Sequence, residues 1–362
     1  VDAGKIVEKD VAFVLDTSGS MAGNKLEQAK KAFQFCVANL NDGDRFEVIR
    51  FSTETEALFD GMKKANSKNR KMAIDFIKDM KPIGGTAINA ALTEALALKP
   101  EGDRPFVVIF LTDGRPTIGI TSENEIVKNV EKAAGKTRVF SFGIGTDVNA
   151  HLLDKITEET RASSQYVTPN EDIEVKISSF YTKIKEPVLA NPKLKFPDGI
   201  RVSKLYPNPL PDLFKGEEIV LVGRYDKAGK GDVLLEGTVN GKQAQSEFGV
   251  KFPAEADRDF IPRLWATRRV GYLLDEIRLH GEKAELKDEV TQLARKYGIV
   301  TPYTAYLIIE DERRRGVPVA ARTLRNFEAD REVLEQARAQ FDAFKKDKSG
   351  DQAIGSARAA KF

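Results

Sequence analysis

Cysteine, tryptophan and histidine are almost missing from this chain of 362 residues, which holds one Cys, one Trp and two His. A single cysteine cannot close an internal disulfide, and Cys36, set in AFQFCVANL, reads as the buried face of a helix rather than as a reactive thiol. His151 and His280 stand far apart without a cysteine cluster, which argues against a zinc site and leaves two ordinary helix residues. No apolar run approaches ~18 residues, so no membrane-spanning helix is expected. A basic n-region and apolar h-region are lacking after Val1, as in a mature or trimmed product. A dominant charge is lacking as well. With 57 basic against 55 acidic side chains, the net +2 gives no bulk electrostatic reason for nucleic acid or an anionic membrane as the main partner.

What is present is a soluble globular composition, 41% hydrophobic and 31% charged, which excludes wholesale disorder. The length suits two domains with appendages. Up to about residue 186, short apolar runs alternate with amphipathic stretches, the pattern of an α/β fold with a doubly wound, mostly parallel sheet. The spacing predicts strands at Val11–Leu15, Phe46–Phe51, Phe106–Leu111, Val139–Ile144 and Gln165–Thr168. It predicts helices over Leu26–Leu40, Arg70–Met80, Ile88–Leu98, Glu125–Ala134, Ala150–Thr160 and Asp172–Ile184. VAFVL, FVVIFL and VFSFGI are continuously apolar, as strands covered on both faces must be.

The composition changes at Glu186-Pro187. Residues 187–256 are predicted as an antiparallel β unit, with turn candidates at Lys227–Gly231 and Asn240-Gly241. Residues 257–312 are predicted as two helices and a returning strand, IVTPYTAYLIIE, packed with that unit. Residues 313–362 read as a charged helical tail in which Val333, Leu334, Ala337, Phe341 and Phe344 share one stripe before a frayed end. Arg313-Arg314-Arg315 reads as a solvated turn, and Trp265 as a packing residue.

The chemistry concentrates in three places. VAFVLDTSGSM puts Asp16, Ser18 and Ser20 in one loop directly after a buried strand. Their short oxygen-bearing side chains, alternating by two, can converge on a hard cation without long arms. GGTAINAAL puts Thr86 at a helix start, and FVVIFLTDG puts Asp113 at the end of the other central strand. In a doubly wound sheet these strands can be neighbours at the topological switch point, where all five residues would share a crevice.

On those residues the chain from about Lys9 to Ile184 resembles a von Willebrand factor type A domain. Asp16-x-Ser18-x-Ser20, Thr86 and Asp113 match that family's metal-ion-dependent adhesion site residue by residue. LWATRRVGYLLDEI and YGIVTPYTAYLIIED resemble the segment after the type A domain in bacterial and animal relatives of the inter-alpha-trypsin inhibitor heavy chains. The first domain, 1–186, is then a type A, Rossmann-like α/β fold with a smaller β-rich and helical accessory region. The resemblance implies Mg²⁺ at the five residues, with Mn²⁺ suiting the same ligands and Ca²⁺ fitting if the loops relax. It implies an open coordination position that accepts an acidic side chain from a protein partner. It also implies no enzymatic activity and an extracytoplasmic setting. Those relatives carry a β-rich domain in front, and only about ten residues precede the first strand here. An uncovered sheet edge and self-association through it are therefore expected. The heavy chains attach glycosaminoglycan at Asp-Pro, and no proline here follows an aspartate, so that activity does not carry over.

Two other readings compete. One is a purely structural envelope scaffold. The other is a metal-dependent phosphohydrolase, whose Asp-x-Asp pairs a nucleophile with an acid/base; Ser18 stands where the second aspartate belongs, and a hydroxyl cannot move that proton near neutral pH. A serine hydrolase would need a histidine that neither His151 nor His280 supplies from a strand end near the site. Gly143-x-Gly145 lacks the third glycine of a dinucleotide fingerprint.

Overall fold

The computed structural model describes residues 8–98, 104–184, 187–214, 218–239, 242–255, 260–299 and 324–360, together with 258, 303, 304, 306–308 and 310. The described residues fall into two compact units. One draws on 1–201, 208–220 and 229–251, the other on 202–207, 221–228 and 252–362.

The first unit is built on β1 (Asp10–Asp16), α1 (Asn24–Ala38), β2 (Arg45–Phe51), β3 (Thr55–Ala57), β4 (Lys63–Lys64), α2 (Ser67–Asp79), α3 (Ile88–Ala97), β5 (Phe106–Thr112), α4 (Glu123–Ala134), β6 (Arg138–Ile144), α5 (Ala150–Glu159), β7 (Ser164–Val167) and α6 (Ile173–Ile184). The sheet runs β3-β2-β1-β5-β6-β7, with β4 also on β2. β1, β2, β5, β6 and β7 are parallel, and β3 and β4 return antiparallel. The short β3 and β4 carry no apolar run, so the sequence pattern passes over them. Every residue of β1, β5 and β6 is buried. Side chains alternate between faces. Val11, Phe13 and Leu15 join α1 and α6 in one core, where the Phe13 ring lies 5.5 Å from Phe33 and 6.2 Å from Tyr181. On the opposite face Phe51 and Phe110 stack at 5.4 Å. Truncating such an aromatic residue to Ala costs about 3–5 kcal/mol.

Helix starts follow local chemistry. Asn66 accepts from the Asn69 amide at 2.9 Å to open α2, Asn149 accepts from Leu152 at 3.0 Å to open α5, and Asp172 accepts from Val175 at 2.9 Å before α6. Because β1 is flanked by β2 on one side and β5 on the other, its carboxyl end opens at the switch point of the sheet.

The expected antiparallel unit is divided between the two units. β8 (Pro187–Lys195), β10 (Leu213–Phe214), β12 (Gly229–Val239) and β13 (Lys242–Phe252) form a sheet of order β10-β8-β12-β13, and all but the last residue of β13 belongs to the first unit. What ties this sheet to β6 is a polar clamp. Arg138 at the start of β6 donates to both carboxylate oxygens of Asp212, at 3.1 and 3.2 Å, and to Asn191 Oδ1 at 2.7 Å, while the Asn191 amide donates to Asp212 at 2.8 Å. Asn240-Gly241, Glu186 and Arg313-Arg314-Arg315 lie outside the described residues.

The second unit pairs β9 (Val202–Tyr206) with β11 (Val222–Tyr225) and packs them with α7 (Phe260–His280) and α8 (Ala284–Tyr297), which ends at the left-handed Gly298. Trp265 is buried within this unit; its Nε1 donates to the Lys204 carbonyl at 3.0 Å, and the Arg224 guanidinium lies over the ring. Two expectations are corrected here. Residues 303, 304, 306–308 and 310 are helical, not a returning strand. A short run this apolar does not betray its period, and the helical form sets Tyr303 and Tyr306 against Phe344 and Phe341 at 4.2 and 5.0 Å. The tail does not fray before 360. Helices Leu324–Lys346 and Asp351–Ala360 bury Phe341, Phe344, Ala353, Ile354 and Ala357. The side chains of Val333 and Leu334 lie outside the described set, and Ala337 is half-buried. Among the described residues no helix is long and apolar enough to cross a membrane.

Candidate metal centre

Three loops meet at the carboxyl ends of β1 and β5. The loop after β1 is fixed from both sides. Thr17 donates its amide and its hydroxyl to the Phe51 carbonyl, at 2.7 and 3.0 Å, and the buried Met21 anchors a short 3-10 turn over Gly19–Met21. The loop before α3 is stitched to it by Gly19 N donating to Gly84 O at 3.0 Å and Ile83 N donating to Thr17 O at 2.8 Å. The loop after β5 locks onto Thr86: Thr117 Oγ1 accepts from Thr86 N at 2.8 Å, and Thr117 N donates to Thr86 O at 3.0 Å. Of the two glycines before Thr86, the first adopts a conformation that other residues rarely take and the second lies close under side chains of the β5 loop. Gly84 has φ of +78°, and a Cβ on Gly85 would stand 2.6 Å from Ile118 Cγ1.

All five sequence-predicted residues are brought together. Asp16 is fully buried and accepts from Ser18 N at 2.8 Å and from Thr112 Oγ1 at 2.5 Å. Ser18 Oγ and Ser20 Oγ lie 3.1 Å apart, and Ser20 Oγ donates to Asp113 Oδ1 at 2.7 Å. Thr86 reaches the same place. A Cβ on Gly114 would lie 3.3 Å from Thr86 Oγ1 and 3.9 Å from Ser20 Oγ, so the glycine leaves that space open beside both hydroxyls. Asp16, Ser18, Thr86 and Asp113 are buried, whereas Ser20 is exposed at the mouth.

Burial pushes the Asp16 carboxyl up to about 6, against the opposing hydrogen bonds from Thr112 and Ser18, and the nearby Asp113 charge adds to the rise. A cation beside this carboxylate would offset part of the solvation it has lost. The donor set is hard oxygen throughout, two carboxylates and three hydroxyls, and the Gly114 cradle leaves room among them; the residues fit a divalent ion of the Mg²⁺ or Mn²⁺ type.

Sequence reasoning passed over Thr112, which orients Asp16, Thr117, which holds Thr86 in place, and Lys25, whose Nζ lies 2.6 Å from Asp113 Oδ2. For Lys25 a signal existed: a cation in the first turn of a helix opposes the macrodipole and calls for a compensating anion.

A mostly parallel sheet flanked by helices, with a cluster of two carboxylates and three hydroxyls at its switch point, defines a type A domain fold. Residues 9–165 match the von Willebrand factor type A domain family. That match places a von Willebrand factor type A domain in residues 9–165, and the chain's likeness to known proteins extends past that domain. It is 28% identical over 350 residues to the human inter-alpha-trypsin inhibitor heavy chain H4, covering 90% of this chain and 37% of that protein. It is 30% identical over 330 residues to the human heavy chain H3, covering 85% of this chain and 37% of that protein. The chain thus spans just over a third of the length of these relatives. Among solved structures, a von Willebrand factor type A protein from Catenulispora acidiphila aligns with a TM-score of 0.59 at 17% identity, over 83% of this chain and 82% of that one. The ArnB paralog VWA2 from Sulfolobus acidocaldarius aligns with a TM-score of 0.52 at 14% identity, over 98% and 88%. At these identities the two structures speak to the fold alone.

Proposed function

We propose that this protein is a non-enzymatic binding module that holds Mg²⁺ or Mn²⁺ at Asp16, Ser18, Ser20, Thr86 and Asp113 and uses the ion to capture an acidic side chain of a protein partner. The observation that carries the reading is the convergence of three interlocked loops on a buried two-carboxylate, three-hydroxyl cluster with one exposed member at its mouth. Neutral hydroxyls leave more of the ion's charge uncompensated than carboxylates do, so the bound cation retains attraction for an incoming carboxylate. The rim supports a protein as the source of that carboxylate. Ile83 is 69% exposed in the loop before α3, and Ile118, packed over Gly85, is also exposed; apolar side chains beside a charged centre suit a folded or peptide surface better than a small anion. Proton transfer has no support at the cluster, since Ser18 occupies the position a phosphohydrolase gives to its acid/base.

Titration calorimetry with an acidic peptide in Mg²⁺ and then in EDTA tests the reading. Binding should appear only with metal and vanish in Asp113→Ala. Equal binding in EDTA would overturn it.

A further inference from the structure

Lys25 is the second residue of α1, in the first turn, where a cation opposes the helix dipole. Its ammonium nevertheless turns back into the metal centre, 2.6 Å from Asp113 Oδ2 and 3.5 Å from the Ser20 carbonyl. Asp113 has no exposed side-chain surface, whereas Lys25 keeps 36% of its own. Both carboxylate oxygens of Asp113 are therefore engaged, Oδ1 by the hydroxyl of Ser20 and Oδ2 by Lys25. The lysine also has a built path. Gly145, directly after β6, sits at φ +77°, and a Cβ there would lie 3.4 Å from Lys25 Nζ and 3.6 Å from Cε.

We propose that Lys25 is a tethered cation competing with the divalent ion for Asp113. It stabilises the metal-free centre, weakens metal binding and, once metal is bound, leaves the centre with more positive charge for a partner's carboxylate. This rests on the metal-binding reading above. With both carboxylates ionised, the centre sums to one negative charge with Lys25 and two without it, so removing the lysine favours a divalent cation and disfavours the acidic partner that follows. Lysine and a divalent ion cannot share one buried carboxylate without repulsion, and at contact-scale separations that repulsion changes affinity by roughly tenfold or more.

The test is Mn²⁺ titration calorimetry on the full chain near neutral pH, with circular dichroism in EDTA as the folding control. Lys25→Met should bind Mn²⁺ at least about tenfold more tightly than wild type, while Lys25→Arg, which keeps the charge, should stay within about threefold of wild type. Lys25→Gln removes the charge but retains a donor for Asp113, so it carries the same prediction if the methionine variant does not fold. With Mn²⁺ saturating, an acidic peptide should bind the neutral variants at least about threefold more weakly. Binding of Mn²⁺ by wild type together with equal or weaker binding by both neutral variants would overturn the inference and leave the metal reading standing. Binding by the neutral variants alone would support the inference in its strongest form. No binding by any of the four proteins would overturn both.

Discussion

Asp16→Asn separates the structural cost of the metal centre from its use. In the metal-free protein the Asp16 carboxyl is pushed up to about 6 from 3.8 because it is fully buried. A group whose folded-state pKa is raised binds its proton more tightly in the folded chain, so the cost is absent at acid pH and grows as pH rises from 3.8 through about 6. At about 1.4 kcal/mol per pH unit, the full cost near neutral pH is about 3 kcal/mol. Asparagine keeps the shape and the acceptor for Ser18 N. It gives up the charge-assisted bond from Thr112, whose hydroxyl can rotate to accept instead. Offsetting that loss, the variant should be about 1–2 kcal/mol more stable than wild type in EDTA near pH 7, a rise of roughly 3–6 °C in the transition of the first unit. The gain should shrink to nothing at about pH 4, where wild type is also neutral. Excess Mg²⁺ or Mn²⁺ should reverse the order, since wild type alone gains the mass-action term, about 2.7 kcal/mol at a hundredfold excess over Kd. Scanning calorimetry at two pH values, with EDTA or metal, reads all of this. A variant less stable than wild type in EDTA at neutral pH, or a gain that persists unchanged at acid pH, would refute the argument from burial.

Arg138→Met removes the guanidinium that Asp212 and Asn191 share, leaving Asp212 with a poorly solvated charge; the first unit should lose about 3 kcal/mol, and limited proteolysis should then cut within 208–220 sooner than in wild type. Unchanged cleavage would mean the clamp is dispensable. β13 ends the order of its sheet, so among the described residues no strand pairs its outer side, and Phe248 on it is 51% exposed. Sedimentation over a concentration series should show self-association that Phe248→Lys weakens; a protein monomeric throughout the series would exclude the edge as an interface.

The two halves of the chain differ in what their sequences reveal. Strands such as Val11–Leu15 and Phe106–Leu111 are legible because burial on both faces leaves no polar position in them, and their ends fall within a residue of those observed. Asp16, Ser18, Ser20, Thr86 and Asp113 are legible because they lie at or just beyond the carboxyl end of a central strand or just before a helix, where a doubly wound sheet gathers its binding loops; Thr86 precedes α3 by two residues and does not cap it. The helical state of residues 303, 304, 306–308 and 310 was not legible. A short apolar run fits either period, and only Phe341 and Phe344, some 40 residues on, decide it. The same holds for the division of 187–256 between two units, which depends on partners as distant as Arg138. At the proposed metal centre the candidate residues were a local matter of residue type and spacing. The ammonium of Lys25 beside Asp113 was not, because an ion pair across 88 residues exists only once α1 and β5 are placed by the sheet. Sequence by itself determined the long buried strands, the candidate ligand residues and the class of fold, all set by short-range pattern. Tertiary structure decided which charges meet and which apolar faces find each other, since those energies depend on distances that no local pattern encodes.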